Sequence, residues 1–383
     1  MWRSDHPLWA LGFRPFYLLA SAFAALSVAL WVLQYAGVIP AAIRGPVWHG
    51  HEMVFGYAIA VVAGFLFTAV RNWTGRPTPS GGTLAAIALL WVAGRASVFT
   101  PWPLAAGIVN ALFPVAVAVG IGVPLVASGN RRNWFFIALL VGADAAVLCV
   151  HLSSLGIVPW PERAGLRVGL DIVLFIVAVV AGRVTPMFTN NGVPGAGATR
   201  RAWLETASLA AVLALLAADV LDVPWPWLAA VALAGAMLHA ARLFLWHPWR
   251  TAGVPLVWIL HAAYAWIPIH LGLRALAAMG LAPDPLATHA LTIGVIGGMT
   301  IGMMTRTARG HTGLQLVAGT AEVTCYALVM IAALVRVFGP LLVPSAYVAT
   351  VLVSGVCWSL AFAIYFFRYW PLLTRPRVDG KPG

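Results

Sequence analysis

Long apolar runs alternate with short clusters of Pro, Gly, Trp and Arg along the whole chain. An α-helix needs about 20 predominantly apolar residues to cross a bilayer. The pattern predicts twelve such runs, at residues 16–37, 47–70, 82–98, 103–126, 133–155, 166–184, 202–221, 226–246, 253–278, 286–305, 315–337 and 341–369. Turn chemistry separates them, as in Arg76 to Gly82, Pro101-Trp102-Pro103, Ser128-Gly129-Asn130, Pro159-Trp160-Pro161, Pro224-Trp225-Pro226 and Pro283-Asp284-Pro285. The fold class that follows is all-α: a polytopic membrane protein with about twelve transmembrane helices. No sequence repeat relates the two halves.

Composition narrows this further. Hydrophobic residues make up 62% of the 383 and charged residues 9%, where soluble domains carry about 25% charge. No segment is long and polar enough for a second folded unit, so residues 1–383 read as a single transmembrane domain. No cleavable leader is expected, because the first apolar stretch is long and lacks a small-residue cleavage site. The net charge of +12 would suit nucleic acid, but the charges sit in short loops between spans, so no nucleic-acid partner is expected. Lys and Arg favour cytoplasmic loops. With the N-terminus in the cytoplasm, seventeen of the 23 basic residues fall on the cytoplasmic side, and Arg44, Arg95, Arg163, Arg167, Arg274 and Arg336 fall opposite. Both termini are therefore expected in the cytoplasm. Trp48, Trp102, Trp160, Trp225 and Trp370 at span ends fit an interfacial aromatic belt. Cys149, Cys325 and Cys357 lie in separate spans without CxxC spacing, so neither a thiolate metal site nor a disulfide framework is expected.

The chemistry concentrates where the second span begins, at Trp48-His49-Gly50-His51-Glu52-Met53. Ionisable groups inside a membrane are costly and mark functional sites, and imidazole is the commonest metal ligand. Two residues apart on a helix, His49 and His51 point about 200° apart. They either serve two centres, or one ligates while the other orients a neighbour. The zinc-protease pattern H-E-x-x-H is excluded, because it needs a histidine where Phe55 stands. Glu52 then either accepts a hydrogen bond from a ligand histidine or takes part in proton delivery. His289 begins the tenth span, His261 lies about 12 Å inside the ninth, and His311 sits at the cytoplasmic edge. The histidines fall in two layers, which suits two metal centres, or one haem and one copper. His6, His151, His239, His247 and His270 read as interfacial or hydrogen-bonded residues. The tenth span also carries Gly294, Gly297, Gly298 and Gly302, which allow close helix packing or leave room for a flat macrocycle. Its Met299, Met303 and Met304 read as core filling, with Cu(I) ligation as the other option.

Several stretches together carry a resemblance. They are Gly12-Phe13-Arg14-Pro15-Phe16, Trp48 to Tyr57, Ala63 to Val70, Asn72-Trp73-Thr74-Gly75, Gly182 to Thr189, Leu260 to Trp266, His289-Ala290-Leu291-Thr292 and Arg306 to Gly313. In this order, from Gly12 to Gly313, they resemble the NnrS family of bacterial inner-membrane proteins, while the last two spans match only in hydropathy. The resemblance implies a protein that carries haem, of b type, and copper, and that accompanies denitrification and nitric oxide stress. It also implies that His49, His51, His261, His289 and His311 are the motif histidines. Thr185 and Arg309 depart from the expected pattern, and Arg309 adds charge beside His311.

Haem iron takes histidine as an axial ligand and copper accepts imidazole. Nitric oxide binds reduced haem and Cu(I). Arg14, Arg183 and Arg306 are candidates for pairing with haem propionates or are cytoplasmic topology markers. Tyr264, in the Leu260 to Trp266 motif, is a further candidate for the cofactor environment. Glu52, Asp144, Asp171 and Glu322 are candidates for a proton relay, with Glu52 the candidate catalytic residue. The favoured function is a haem–copper protein of the bacterial inner membrane that acts on or protects against nitric oxide, with nitric oxide reduction as the candidate reaction. The alternatives are a transporter of a metal, haem or small nitrogen compound, and a haem-based sensor or assembly factor.

Overall fold

The structure, a computed structural model, describes residues 6–39 and 45–381. Its described residues form twelve long helices joined by short connections. These are α1 (Phe13–Tyr35), α2 (Gly45–Thr74), α3 (Gly81–Ser97), α4 (Pro103–Ala127), α5 (Phe135–Ser154) and α6 (Glu162–Gly192). The second half comprises α7 (Ala202–Val220), α8 (Trp225–Phe244), α9 (Pro255–Ala278), α10 (Asp284–His311), α11 (Thr320–Leu342) and α12 (Tyr347–Leu373). Each coincides with one predicted run. Eleven are long and apolar enough to cross a membrane, while α3 has 17 residues. Arg3 and Arg44, counted above, lie outside the described residues.

Short connections force successive helices to run antiparallel. The end at which α2, α6 and α10 begin is the upper end. Neighbours in sequence pack side by side, and α12 returns to pack against both α11 and α1. Two hydrogen bonds pin that return. Trp358 donates its indole N–H to the Ala24 carbonyl at 3.2 Å. Arg14 donates to the carbonyls of Leu373 and Arg375 at 3.0 and 2.8 Å. Arg14 therefore serves carbonyls at the C-terminus of α12 that lack helical partners.

Three helices end differently from the apolar pattern. The sixth run stops at Val184, ahead of Pro186, yet α6 continues through Pro186 to Gly192. Proline removes one backbone bond, and in a bundle neighbouring helices and Ser/Thr side chains make good such losses. The tenth helix reaches His311, six residues past its apolar run. The eleventh starts at Thr320, where Glu322 turns back to accept the Gly319 N–H at 2.8 Å.

The two most enclosed helices are α2 and α10. Each contains one π-helical segment, Glu52–Ala58 in α2 and Ala290–Gly297 in α10. Each segment begins directly after a histidine, His51 or His289. Such wide turns are rare and occur mostly at functional sites. The two helices touch where Tyr57 and Thr300 share a hydrogen bond between hydroxyls. The glycines of α10 are packing residues. A Cβ on Gly294 would stand 2.3 Å from Trp266, and one on Gly297 2.5 Å from Trp358. A Cβ on Gly298 would meet Ala263 and Met330 at 2.7 Å, and one on Gly302 would meet Ile259 and Leu260 at 3.0 Å. The close-packing reading of this stripe therefore holds, and the space beside it is filled. Trp102, Trp160, Trp225 and Trp370 are exposed, but Trp48 is buried against Phe99 and does not belong to the surface belt.

Candidate functional site

The upper half of the bundle encloses a cavity of about 560 Å³. This is within the range of small-molecule and cofactor sites, about 300–1,000 Å³. Its apolar walls include Val28, Trp31, Val32, Tyr57, Val351 and Trp358, and its polar lining includes His49, His270, His289, Arg274 and Arg336. Five helices supply these side chains: α1, α2, α9, α10 and α12, with Arg336 added from α11.

The histidines are held in a consistent way. The His289 ring donates its Nδ1–H to the Pro285 carbonyl at 2.6 Å. The His270 ring donates its Nδ1–H to the Ala287 carbonyl at 2.8 Å. Both carbonyls belong to the first turn of α10. Each bond fixes the tautomer and leaves Nε2 with its lone pair, as in metal-ligating histidines. The His270 Nε2 is buried without a hydrogen-bond partner. His49 stacks on Trp31, with centroids 5.0 Å apart and planes at 11°, and its Nδ1 is likewise buried and unpartnered. His49, His289 and Arg336 lie within electrostatic reach of one another.

The charges around the cavity are unevenly matched. Arg274 pairs with Asp219, and Arg167 reaches Asp219 at 3.8 Å and Asp284 at 3.5 Å. Arg336 donates one N–H to the Tyr347 hydroxyl at 3.2 Å, while its Nη1 is buried without a partner. Buried cationic donors are rarely left so. A cavity walled by aromatic rings, with unsatisfied imidazole nitrogens and an unsatisfied guanidinium, suits a flat apolar group that carries a metal and an acidic edge. The donor set fits haem.

A second cluster lies on the other side of α2. The His51 Nδ1 is 2.8 Å from Glu52 Oε1, and its Nε2 is 3.2 Å from His151 Nε2 on α5. Glu52 Oε2 faces Arg95 on α3 at 3.0 Å, and Arg95 donates to the Asn110 side chain on α4. His49 and His51 thus point to opposite sides of α2, as their spacing requires.

The other sequence candidates sit elsewhere. In the lower half, the His261 Nε2 meets the Thr189 hydroxyl at 2.7 Å. His311 packs on Phe13, and its carbonyl accepts from Arg377 at 3.0 Å. Tyr264 is fully buried between His239 at 2.6 Å and Arg242 at 3.0 Å, with Arg242 clamped on Glu205. Arg183 bonds Asn133 at 2.7 Å, and Arg306 lies 3.7 Å over the Phe188 ring. None of His261, His311, Tyr264, Arg14, Arg183 and Arg306 lines the upper cavity. Of the relay candidates, Asp171 lines it with one carboxylate oxygen unpartnered. Asp144 has a buried unpartnered oxygen. Glu322 is taken up by Tyr369, Arg309, Arg368 and the α11 cap. His270, Arg274 and Arg336 were missed as site residues. Their one sequence signal was being on the charge-poor side of the topology map.

Among the described residues, no three of His, Cys, Asp or Glu converge in a group able to hold a metal ion. A three-histidine copper cage therefore finds no support in this arrangement. The model of the NnrS protein family matches residues 7–377. The chain belongs to the NnrS family. This family is linked to the nitric oxide response, and the present NnrS member is a multi-pass membrane protein, with eleven helices among the described residues long and apolar enough to cross a membrane. The match includes the last two helices, where the motif resemblance had thinned to hydropathy. No curated protein matches the chain.

Proposed function

We propose that this NnrS protein carries haem in its upper cavity and acts on nitric oxide in the bacterial inner membrane. One observation carries the reading: His270 and His289 are both pinned through Nδ1 to carbonyls of the first turn of α10, at a cavity they share with His49 and with Arg336, whose Nη1 has no partner. When bound and reduced, haem supplies an iron that takes histidine and diatomic ligands. The chain does the rest. His49, His270 and His289 are the residues that would hold the iron, and one not used as a ligand would stand by as a hydrogen-bonding group. Arg336 takes an acidic edge group, because guanidinium pairs in plane with carboxylate. Trp31, Tyr57 and Trp358 exclude water from the ring. Asp171, which lines the cavity with one carboxylate oxygen unpartnered, is a candidate for moving a proton into it.

The optical spectrum of the purified protein tests this. A Soret band should appear that sharpens on reduction and shifts with nitric oxide. His49→Ala and His289→Ala should each change or abolish it, while His6→Ala and His247→Ala leave it intact. A protein that stays colourless after expression with ample haem would overturn the reading. That outcome would favour a transporter, which the charged cavity between enclosed helices would also suit.

A further inference from the structure

We infer that Asp171 on α6 and Asp219 on α7 share one proton and together form the proton entrance of the upper cavity. The two carboxyls lie within hydrogen-bonding reach of each other where α6 packs on α7. An ionised carboxylate only accepts hydrogen bonds, so two of them in contact need a proton between them. In each carboxyl, Oδ2 is buried with no donor to meet it. A shared proton turns one of these acceptors into a donor. The cations nearby are already committed. Arg274 pairs with Asp219, while Arg167 reaches Asp219 at 3.8 Å and Asp284 at 3.5 Å. Among the described residues no cation pairs with Asp171, which is 2% exposed. A buried carboxyl without a cation takes up a proton rather than hold its charge. Asp171 is therefore the acid, and its O–H donates to the Asp219 carboxylate.

The placement of the pair turns this bond into a route. Asp171 lines the cavity with its unpartnered oxygen. Asp219 touches Arg167, which is four residues from Asp171 and so on the same face of α6. The Arg167 side chain is 42% exposed and that of Asp284 50%, so solvent at the upper end reaches this ion cluster. The guanidinium groups keep their protons. They hold Asp219 as the carboxylate, and the two acids carry the traffic. Release of the Asp171 proton to a water or ligand oxygen in the cavity leaves two carboxylates side by side. Their repulsion draws a replacement proton from solvent through Asp219, and the pair returns to its starting state. One O–H bond breaks as another forms, and no electron moves. The supply role rests on the proposed nitric oxide chemistry in the cavity, since reduction of nitric oxide consumes protons. The shared proton itself does not depend on that reading.

Infrared spectroscopy of the detergent-purified protein in ordinary and deuterated water tests the pair. A carboxylic-acid carbonyl band should move to lower frequency in deuterated water. Asp171→Asn should remove that band. Asp219→Asn should remove it too, because Asp171 then ionises against the freed Arg274. A band that persists in Asp219→Asn would overturn the inference, since burial alone would then protonate Asp171. Identical spectra for wild type and Asp171→Asn would do the same, and Asp219→Asn decides the matter even if Asp171→Asn does not fold. The supply role is read by stopped flow with a pH-indicator dye, as reduced haem-loaded protein meets nitric oxide. Asp171→Asn should slow proton uptake about a hundredfold, a usual contribution of a positioned acid, while nitric oxide still shifts the haem spectrum. Uptake at the wild-type rate would remove the pair from the entrance. A colourless protein would sink only the proposed function above, and the infrared bands of the two variants would still decide whether the proton is shared.

Discussion

At the residue scale, the unsatisfied groups decide what the cavity takes. Arg336 is the sharpest case, because its Nη1 is buried without a partner while Nη2 is held by Tyr347. A charged hydrogen bond contributes about 1.5–3 kcal/mol. Arg336→Gln should therefore weaken haem retention about ten- to a hundredfold in a transfer assay to a haem-scavenging protein. Tyr347→Phe should have a smaller effect, since it touches the side of Arg336 already satisfied. Retention equal to wild type in Arg336→Gln would remove Arg336 from the site. Glu52 is a different case, because it holds two partners at once. Removing one member of a buried ion pair costs about 3–5 kcal/mol, since the other is left charged and unpaired. Glu52→Ala should thus lower the unfolding midpoint in detergent by stranding Arg95. Glu52→Ala with Arg95→Met should be less destabilised than the sum of the two single changes. Strict additivity would mean that the pair at 3.0 Å is not coupled. His51 and His49 were legible as site candidates because they share a span end and differ in direction by helical geometry alone. His270 was not legible. Its meaning comes from the Ala287 carbonyl on the next helix, which no local pattern encodes.

At the element scale, the helices were legible to within a few residues because a bilayer imposes one period and one length. What the pattern concealed is the widening of α2 and α10 into π turns, since apolar residues on every face carry no phase to reveal an extra residue per turn. These segments set the direction of everything C-terminal to His51 and His289. They also bring α2 and α10 together at Tyr57 and Thr300. The glycine stripe of α10 fits the same account. Gly297 faces Trp358, a wall of the cavity, and a Cβ there would stand 2.5 Å from the indole. Gly297→Ala should destabilise by about 1–3 kcal/mol, the usual cost of overpacking, and should also loosen haem by shifting Trp358. Gly302→Ala meets Ile259 and Leu260 at 3.0 Å, away from the cavity, and should lower the unfolding midpoint less and spare the haem spectrum. Equal spectral loss in both variants would separate the stripe from the cavity wall.

At the scale of the whole molecule, the exceptions to the charge bias and the candidate site are the same residues. Six arginines fell on the side opposite the other basic residues. Arg44 lies outside the described residues, Arg95 pairs with Glu52, and Arg163, Arg167, Arg274 and Arg336 line the upper cavity. Arginines engaged in this way are poor reporters of topology, because buried carboxylates and a ligand site explain their position. Setting those five aside leaves the remaining basic residues almost wholly at the lower end, so the positive-inside rule speaks more strongly than the raw count did. The lower end, with both termini, is therefore predicted to face the cytoplasm, and the cavity with its histidines to open toward the opposite side. Reporter fusions check this directly. An alkaline phosphatase fusion in the 221–224 connection between α7 and α8 should be active, and one after Gly383 inactive, with a fluorescent-protein reporter giving the reverse. Both reporters on one side would mean an even number of crossings between the two points, and α3, with its 17 residues, does not lie between them. The fault would then fall among α8 to α12. Activity reversed at both points would keep the fold and turn the molecule over, placing the histidine cavity at the cytoplasmic face.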